Sequence, residues 1–265
     1  MTLGGVVMRV LVGVAVSAAL TLTPTAVAVS AAGGGPAPAP AAAAGQVAIV
    51  QAVPGADVDV MIDGETVESD VPAGEVLGPY PLSPGEHQVD FSGTDGLEQA
   101  ATIDVASSSH QDVVLHLPAS VGADAVVTAY QTPVEPIGPG KARVLVAHTA
   151  TVAPADVRVD GKVVFANIAN GEFATADVPA GEHVVALFPT GETTDPILGP
   201  LTVDLTSRTV TMVYAVGDPA DGSMDLVAHS ARLAADGTLV PAMIGTGSAG
   251  LASDVRVTPF GRPAS

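Results

Sequence analysis

The sequence predicts an all-β protein built of two tandem antiparallel β-sandwiches, and three observations carry that expectation. The chain repeats itself: Val157-Arg158-Val159-Asp160-Gly161-Lys162-Val163-Val164 restates Val60-Met61-Ile62-Asp63-Gly64-Glu65-Thr66-Val67 at an offset of 97 residues. Ala180-Gly181-Glu182-His183-Val184-Val185 restates Pro84-Gly85-Glu86-His87-Gln88-Val89 at an offset of 96. Repetition at this period means two copies of one module of about 90 residues, an ordinary domain size. Short stretches alternate apolar and polar residues between Gly-containing turns, which is the signature of half-buried strands. Beyond the N-terminal apolar run, no stretch repeats with a helical period.

Residues 1–28 read as an export signal. Arg9 is the only charge in the first 45 residues, an apolar run from Val10 to Leu22 follows, and Ala26-Val27-Ala28 offers small residues for cleavage. Cleavage after Ala28 or after Ala31 fits, and either Met1 or Met8 fits the start. The apolar run is short for a membrane span. No second such run lies near the C-terminus, so no stable membrane anchor is expected after cleavage. Residues 29–45, nearly all Gly, Pro and Ala, read as a flexible spacer.

The first module spans 46–131. Val47-Ala48-Ile49-Val50 is a buried run, and in Asp57 to Asp63 a period of two puts Val58, Val60 and Ile62 on one face and the aspartates on the other. Asp63-Gly64 then makes a hairpin turn, because Gly accepts the positive φ such a turn demands. Pro84-Gly85 marks another turn before a strand from His87 to Phe91. Further strands fit Ala101–Val105, Asp112–Leu117 and Ala125–Tyr130. Residues 132–142 form a linker stiffened by Pro133, Pro136 and Pro139. The second module, 143–233, repeats the plan: Asp160-Gly161 and Ala180-Gly181 are its turns, with strands at His183–Phe188, Leu201–Leu205, Thr209–Val216 and Met224–His229. Residues 234–265, rich in Gly and small residues, read as a mostly disordered tail with a short strand conceivable at Val255–Val257. Many short strands at even spacing, with turn signals between them, make the sandwiches immunoglobulin-like.

Composition narrows the function. The chain has no cysteine, which removes disulfides, thiolate metal sites, a cysteine nucleophile and a lipoprotein anchor together. The formal net charge is −19, and Gln46 to Gly140 holds fifteen Asp or Glu and no Lys or Arg. Such charge repels phosphate backbones and anionic headgroups, so nucleic acid is not an expected partner. No Gly-x-Ser-x-Gly elbow is present, and the serines of Ser107-Ser108-Ser109 beside His110 read as loop residues. The six histidines lack zinc-helix spacing. His87 and His183 recur at matching positions after a turn, which suggests a shared structural role, with a ring nitrogen bonding a turn carbonyl. With no Trp, five Phe and three Tyr, sugar platforms are scarce. The candidate ion ligands are Asp57, Asp59 and Asp63, with Asp70 and Glu75 near. Three like charges on one face would be relieved by calcium, which takes hard oxygen ligands.

The order Val-x-Val-Asp-Gly, a Gly-Glu-Val or Gly-Glu-Phe step, Pro/Ala-Gly-Glu-His before a strand, and Gly217 to Gly222 at the close resembles the bacterial domain of unknown function numbered 4397. That family occurs in secreted actinobacterial proteins, often in tandem. Val144-Leu145-Val146-Ala147-His148 is similar to the family's opening strand, whereas the first copy has Gln51 in place of the histidine. The Pro-Gly-Glu-His segment also resembles PEGA modules of bacterial surface proteins. The resemblance implies fold and export and brings no activity. The expectation is therefore a secreted, non-catalytic structural or interaction module of the cell envelope or extracellular space, free or loosely wall-associated, whose partner is an envelope or extracellular protein and which needs no cofactor. The alternatives are a calcium-stabilised envelope or adhesion module and, more remotely, a hydrolase.

Overall fold

The computed structural model describes residues 42–240 and Thr258–Pro259. The segment read as an export signal, most of the segment read as a spacer and the strand considered at Val255–Val257 lie outside the described residues. In the first copy the strands are β1 (Gly45–Ala52), β2 (Val58–Ile62), β3 (Glu65–Val71), β4 (Val76–Leu82), β5 (Gly85–Gly93), β6 (Glu98–Val105), β7 (His110–His116) and β8 (Val126–Gln131). The second copy has β9 (Lys141–His148), β10 (Ala155–Val159), β11 (Lys162–Ile168), β12 (Phe173–Pro179), β13 (Gly181–Pro189), β14 (Leu198–Leu205), β15 (Thr209–Val216) and β16 (Asp225–Arg232). A two-residue strand β17 (Thr258–Pro259) lies on the β14 edge. The only helical piece among the described residues is a 3-10 turn at Thr94–Gly96.

Each copy is a sandwich of two sheets. In the first, sheet β4-β1-β7-β8 faces sheet β3-β2-β5-β6; in the second, β12-β9-β15-β16 faces β11-β10-β13-β14. The Asp-Gly turns form as the residue types require. Asp63 and Asp160 both have φ 52°, and Gly64 and Gly161 follow at 80° and 75°. The predicted all-antiparallel sandwich needs one correction. β1 runs parallel to β7, and β9 runs parallel to β15, so the sheet holding each of these pairs is mixed. These strands form the centre of their sheets and are covered on both faces, which favours continuous apolar runs over alternation.

That double coverage is the main architectural fact. Val47, Ile49, Val113 and Leu115 point into the first sandwich against Val58, Val60, Val89 and Phe91. The alternate residues Ala48, Val50, Ala52, Val114 and Tyr130 point the other way. They pack on Leu145, Ala147, Met212, Tyr214 and Val216 of the second copy, and every one of these ten is buried. The two sandwiches thus share a third hydrophobic layer and stand as four stacked sheets. The linker closes over its rim: Ile137 is buried in the same layer, and the Arg143 guanidinium donates to the Glu135 carbonyl at 2.8 Å and to both carboxylate oxygens of Asp177 at 2.7 and 3.0 Å. The segment after β16, expected to be mostly disordered from 234, is described as far as residue 240. Leu233 bridges to Leu239, and the turn between them lies so close to the linker backbone at Val134 that Gly237, at φ +90°, has no room for a Cβ.

Candidate functional site

The repeated polar motifs meet in space, and each copy builds the same clamp. The Asp63 carboxylate at the β2–β3 turn accepts from the Gln88 amide at 2.9 Å and from His87 Nδ1 at 2.6 Å, while His87 Nε2 lies 2.7 Å from the Ser83 carbonyl. In the second copy Asp160 accepts from the Val184 amide at 3.0 Å and from His183 Nδ1 at 2.8 Å, and His183 Nε2 lies 2.8 Å from the Pro179 carbonyl. The predicted bond from ring nitrogen to turn carbonyl is present in both copies, with the turn aspartate as its unforeseen second half. A carboxylate and a carbonyl can only accept, so both ring nitrogens must donate and the imidazolium is favoured.

The titration behaviour follows from this geometry. The bond to Asp63, then the Ser83 carbonyl, holds His87 above its ordinary range. Burial pulls His183 down, but the Pro179 carbonyl and Asp160 outweigh it and raise it. Asp63 is lowered by His87 and then the Gln88 amide, and Asp160 by the Val184 amide and then His183. A histidine raised in the folded state contributes stability that is complete below the unfolded pKa, about 6.5, and is lost as pH rises through the folded value. The gap in melting temperature between wild type and His183→Gln is therefore expected to be widest near about pH 5.5 and to shrink by about pH 8.5. A gap that widens with pH would contradict the charged clamp.

A second pair of aspartates fastens the bulge between neighbouring strands. Asp59 accepts from the Asp70 amide at 3.0 Å and Asp156 from the Asn167 amide at 2.8 Å, and both donors sit at φ 55° beside register shifts. The candidate calcium ligands are thereby accounted for singly. Asp59 holds a bulge, Asp63 holds a turn and a histidine, and Asp57 is exposed just before β2. Among the described residues, no three Asp, Glu or His side chains converge as a metal site requires. Their common strand face was legible, but the bulge at Val58–Met61 and the turn at Asp63 send the carboxylates to different backbone donors.

The Gln51 and His148 discrepancy between copies resolves in the same way. Gln51 Oε1 accepts from the Val53 amide at 2.7 Å and its Nε2 donates to the Ala56 carbonyl at 2.7 Å. His148 Nδ1 accepts from the Ala150 amide at 3.4 Å and its Nε2 donates to the Ala153 carbonyl at 3.2 Å. Both side chains span residues i+2 and i+5 of the following loop, so one bridge is built with two chemistries. Burial pushes His148 below its ordinary range, in keeping with the neutral ring this bridge needs. The loop serines are also engaged with backbone: Ser107 and Ser109 donate to the carbonyls of Ala43 and Ala106.

Sequence reasoning missed the most unusual group. Asp112 of β7, 2 % exposed, reaches out of the first sandwich, and its Oδ2 lies 2.5 Å from both the Tyr214 hydroxyl and His229 Nε2 of the second. Burial and then the Asp112 charge push Tyr214 well above its ordinary range, so the phenol stays protonated and donates. Burial opposes charge on His229, but Asp112 outweighs it and raises it. The three side chains form an ion pair with a phenol cap, sealed between apolar layers. Tyr130 and Asn170 add cross-copy bonds to the Gly171 and Leu117 carbonyls at 3.2 and 3.0 Å. The available signal was Asp112 standing next to Val113-Val114-Leu115, a stretch apolar on both faces.

The family model for a domain of unknown function (DUF4397) matches residues 45–157. That segment covers the first sandwich, the linker, β9 and β10 as far as Val157. It ends inside β10, a strand of the second sandwich's far sheet, not at the boundary between copies. No curated protein matches the chain.

Proposed function

We propose that the chain is a secreted, non-catalytic structural or interaction module of the cell envelope or extracellular space, free or loosely held at the wall. The observation that carries this reading is where the chemistry-bearing side chains go. In both copies the aspartate of the Asp-Gly turn and its histidine are engaged in holding backbone, and the buried Asp112, Tyr214 and His229 hold the copies together. The matched family has no assigned activity. The leader-like N-terminus and net charge of −19 suit a soluble exported product, and partner contact then falls to loops and exposed strand edges.

The test is to express the full chain in a bacterium with an active general secretory route, fractionate the culture and sequence the N-terminus of the product. The expected outcome is a processed protein in the medium or the wall wash, starting at Val29 or Ala32. An unprocessed chain confined to the cytoplasm overturns the proposal. Calcium is expected to raise the melting temperature no more than magnesium at equal ionic strength. A saturable calcium-specific rise, of the size a tight site gives at saturation, would instead favour the adhesion alternative.

A further inference from the structure

The two copies are built on one plan, yet their inner spaces are filled differently. Three inward residues of β4 lie opposite β1: Leu77 faces Ile49, Tyr80 faces Val47 and Leu82 faces Gly45. Three inward residues of β12 lie at the corresponding places on β9: Ala174 faces Val146, Ala176 faces Val144 and Val178 faces Ala142. Leu, Tyr and Leu have become Ala, Ala and Val. Deeper in, the sheet registers equate Ile49 with Val146, Leu115 with Ala215, Phe91 with Leu187 and Ile103 with Val203. Phe165, where the first copy has Glu68, and Leu205, where it has Val105, recover part of the lost volume.

The consequence is a void of about 50 Å³ between the sheets of the second sandwich, lined by residues that include Val157, Phe165, Leu187, Val203 and Leu226. Its lining draws on strands of both sheets, and at the edge strands β11 and β12 it includes Val164, 37 % exposed, and Val178, half-buried. Core valines report the same opening. Val47, Val89 and Val113 are 0 % exposed, whereas their counterparts Val144, Val185 and Val213 are only half-buried. Folded proteins rarely keep apolar surface wet inside a sandwich, because close packing and burial are what hold it together.

We propose that this space binds the alkyl chain of an uncharged single-chain lipid, its tip in the void and its entry at the edge where Val164 and Val178 line it. The lining selects that chemistry. Its two polar members offer nothing to a ligand, since His183 is bonded at both nitrogens and Thr211 Oγ1 is bonded to Ser230 Oγ at 2.9 Å. A peptide segment would bring backbone groups that no wall atom could satisfy, and an alkyl chain brings none. A net charge of −19 disfavours an anionic headgroup.

Binding of 1-decanol to the full chain tests the proposal, read by calorimetry and melting temperature. Wild type should bind one molecule saturably. Ala176→Tyr and Ala174→Leu, which restore the first copy's filling, should each weaken binding at least about tenfold while keeping a wild-type circular dichroism spectrum. Methyl NMR on the wild type provides a readout free of folding effects. Decanol should shift Val164, Val178 and Leu226 and leave Val60 and Val89 in place. The proposal is overturned if binding does not saturate, if both filled variants bind as well as wild type, or if those three methyls do not move. The last result is also what an occupant drawn from the chain's own leader or tail would give.

Discussion

Replacing Asp112 with alanine is expected to cost about 3–5 kcal/mol, the penalty of removing one partner from a buried ion pair. The side chain is 2 % exposed, and its loss leaves the His229 imidazolium and the Tyr214 hydroxyl facing an apolar layer with no acceptor. Urea denaturation followed by circular dichroism measures the loss. Removing the whole network should be far milder. The triple variant Asp112→Met, Tyr214→Phe, His229→Leu leaves no buried polar group behind, and methionine is what the second copy carries at the position equivalent to Asp112, namely Met212. Its stability should return to within about 1–2 kcal/mol of wild type, because well-packed apolar replacements of buried ion pairs are often neutral. If the single substitution proves as mild as the triple, Asp112 does not carry a buried charge.

Phe91→Ala should be of similar severity, about 3–5 kcal/mol, for a different reason. Phe91 is 1 % exposed in the core of the first sandwich, so truncation removes a large apolar side chain and leaves a cavity that the neighbouring strands cannot close. The matched change in the second copy, Leu187→Ala, removes a smaller side chain that already borders a void. It should fall near the lower end of the range for leucine truncation, about 2 kcal/mol. Equal losses at the two sites would mean that the two cores are equally well packed, against the difference in exposure between Val89 and Val185.

Much of this fold is legible in the residues, and the parts that are not share a physical reason. Thr209–Val216 coincides with β15 because a strand buried on both faces announces itself as an apolar run. The Asp-Gly turns are equally plain. The missed strands are the edges β3, β4, β11 and β12. β3 carries exposed Glu65, Glu68 and Asp70, and β4 contains Gly78, Pro79 and Pro81, so neither shows a clean period of two. Prolines sit comfortably on an edge, where an amide donor is not needed. For the candidate site, period two placed Asp57, Asp59 and Asp63 on one face but could not show that backbone amides from later strands would claim two of them. Asp112 was out of reach because its partners lie 102 and 117 residues away, on the other copy. Only the apolar surroundings of that aspartate hinted that it is buried.

The layer shared by the two sandwiches bears on how such a chain could arise. The same sheet of each copy forms it, and a contact between like faces is what two identical subunits use when they pair about a twofold axis. A gene encoding one repeat alone would yield a polypeptide with a greasy face exposed, and its nearest complementary lid would be its own twin. Duplication and fusion would place that lid on the same chain. Each half is then free to drift, and here one half has a tightly filled interior while the other encloses a void.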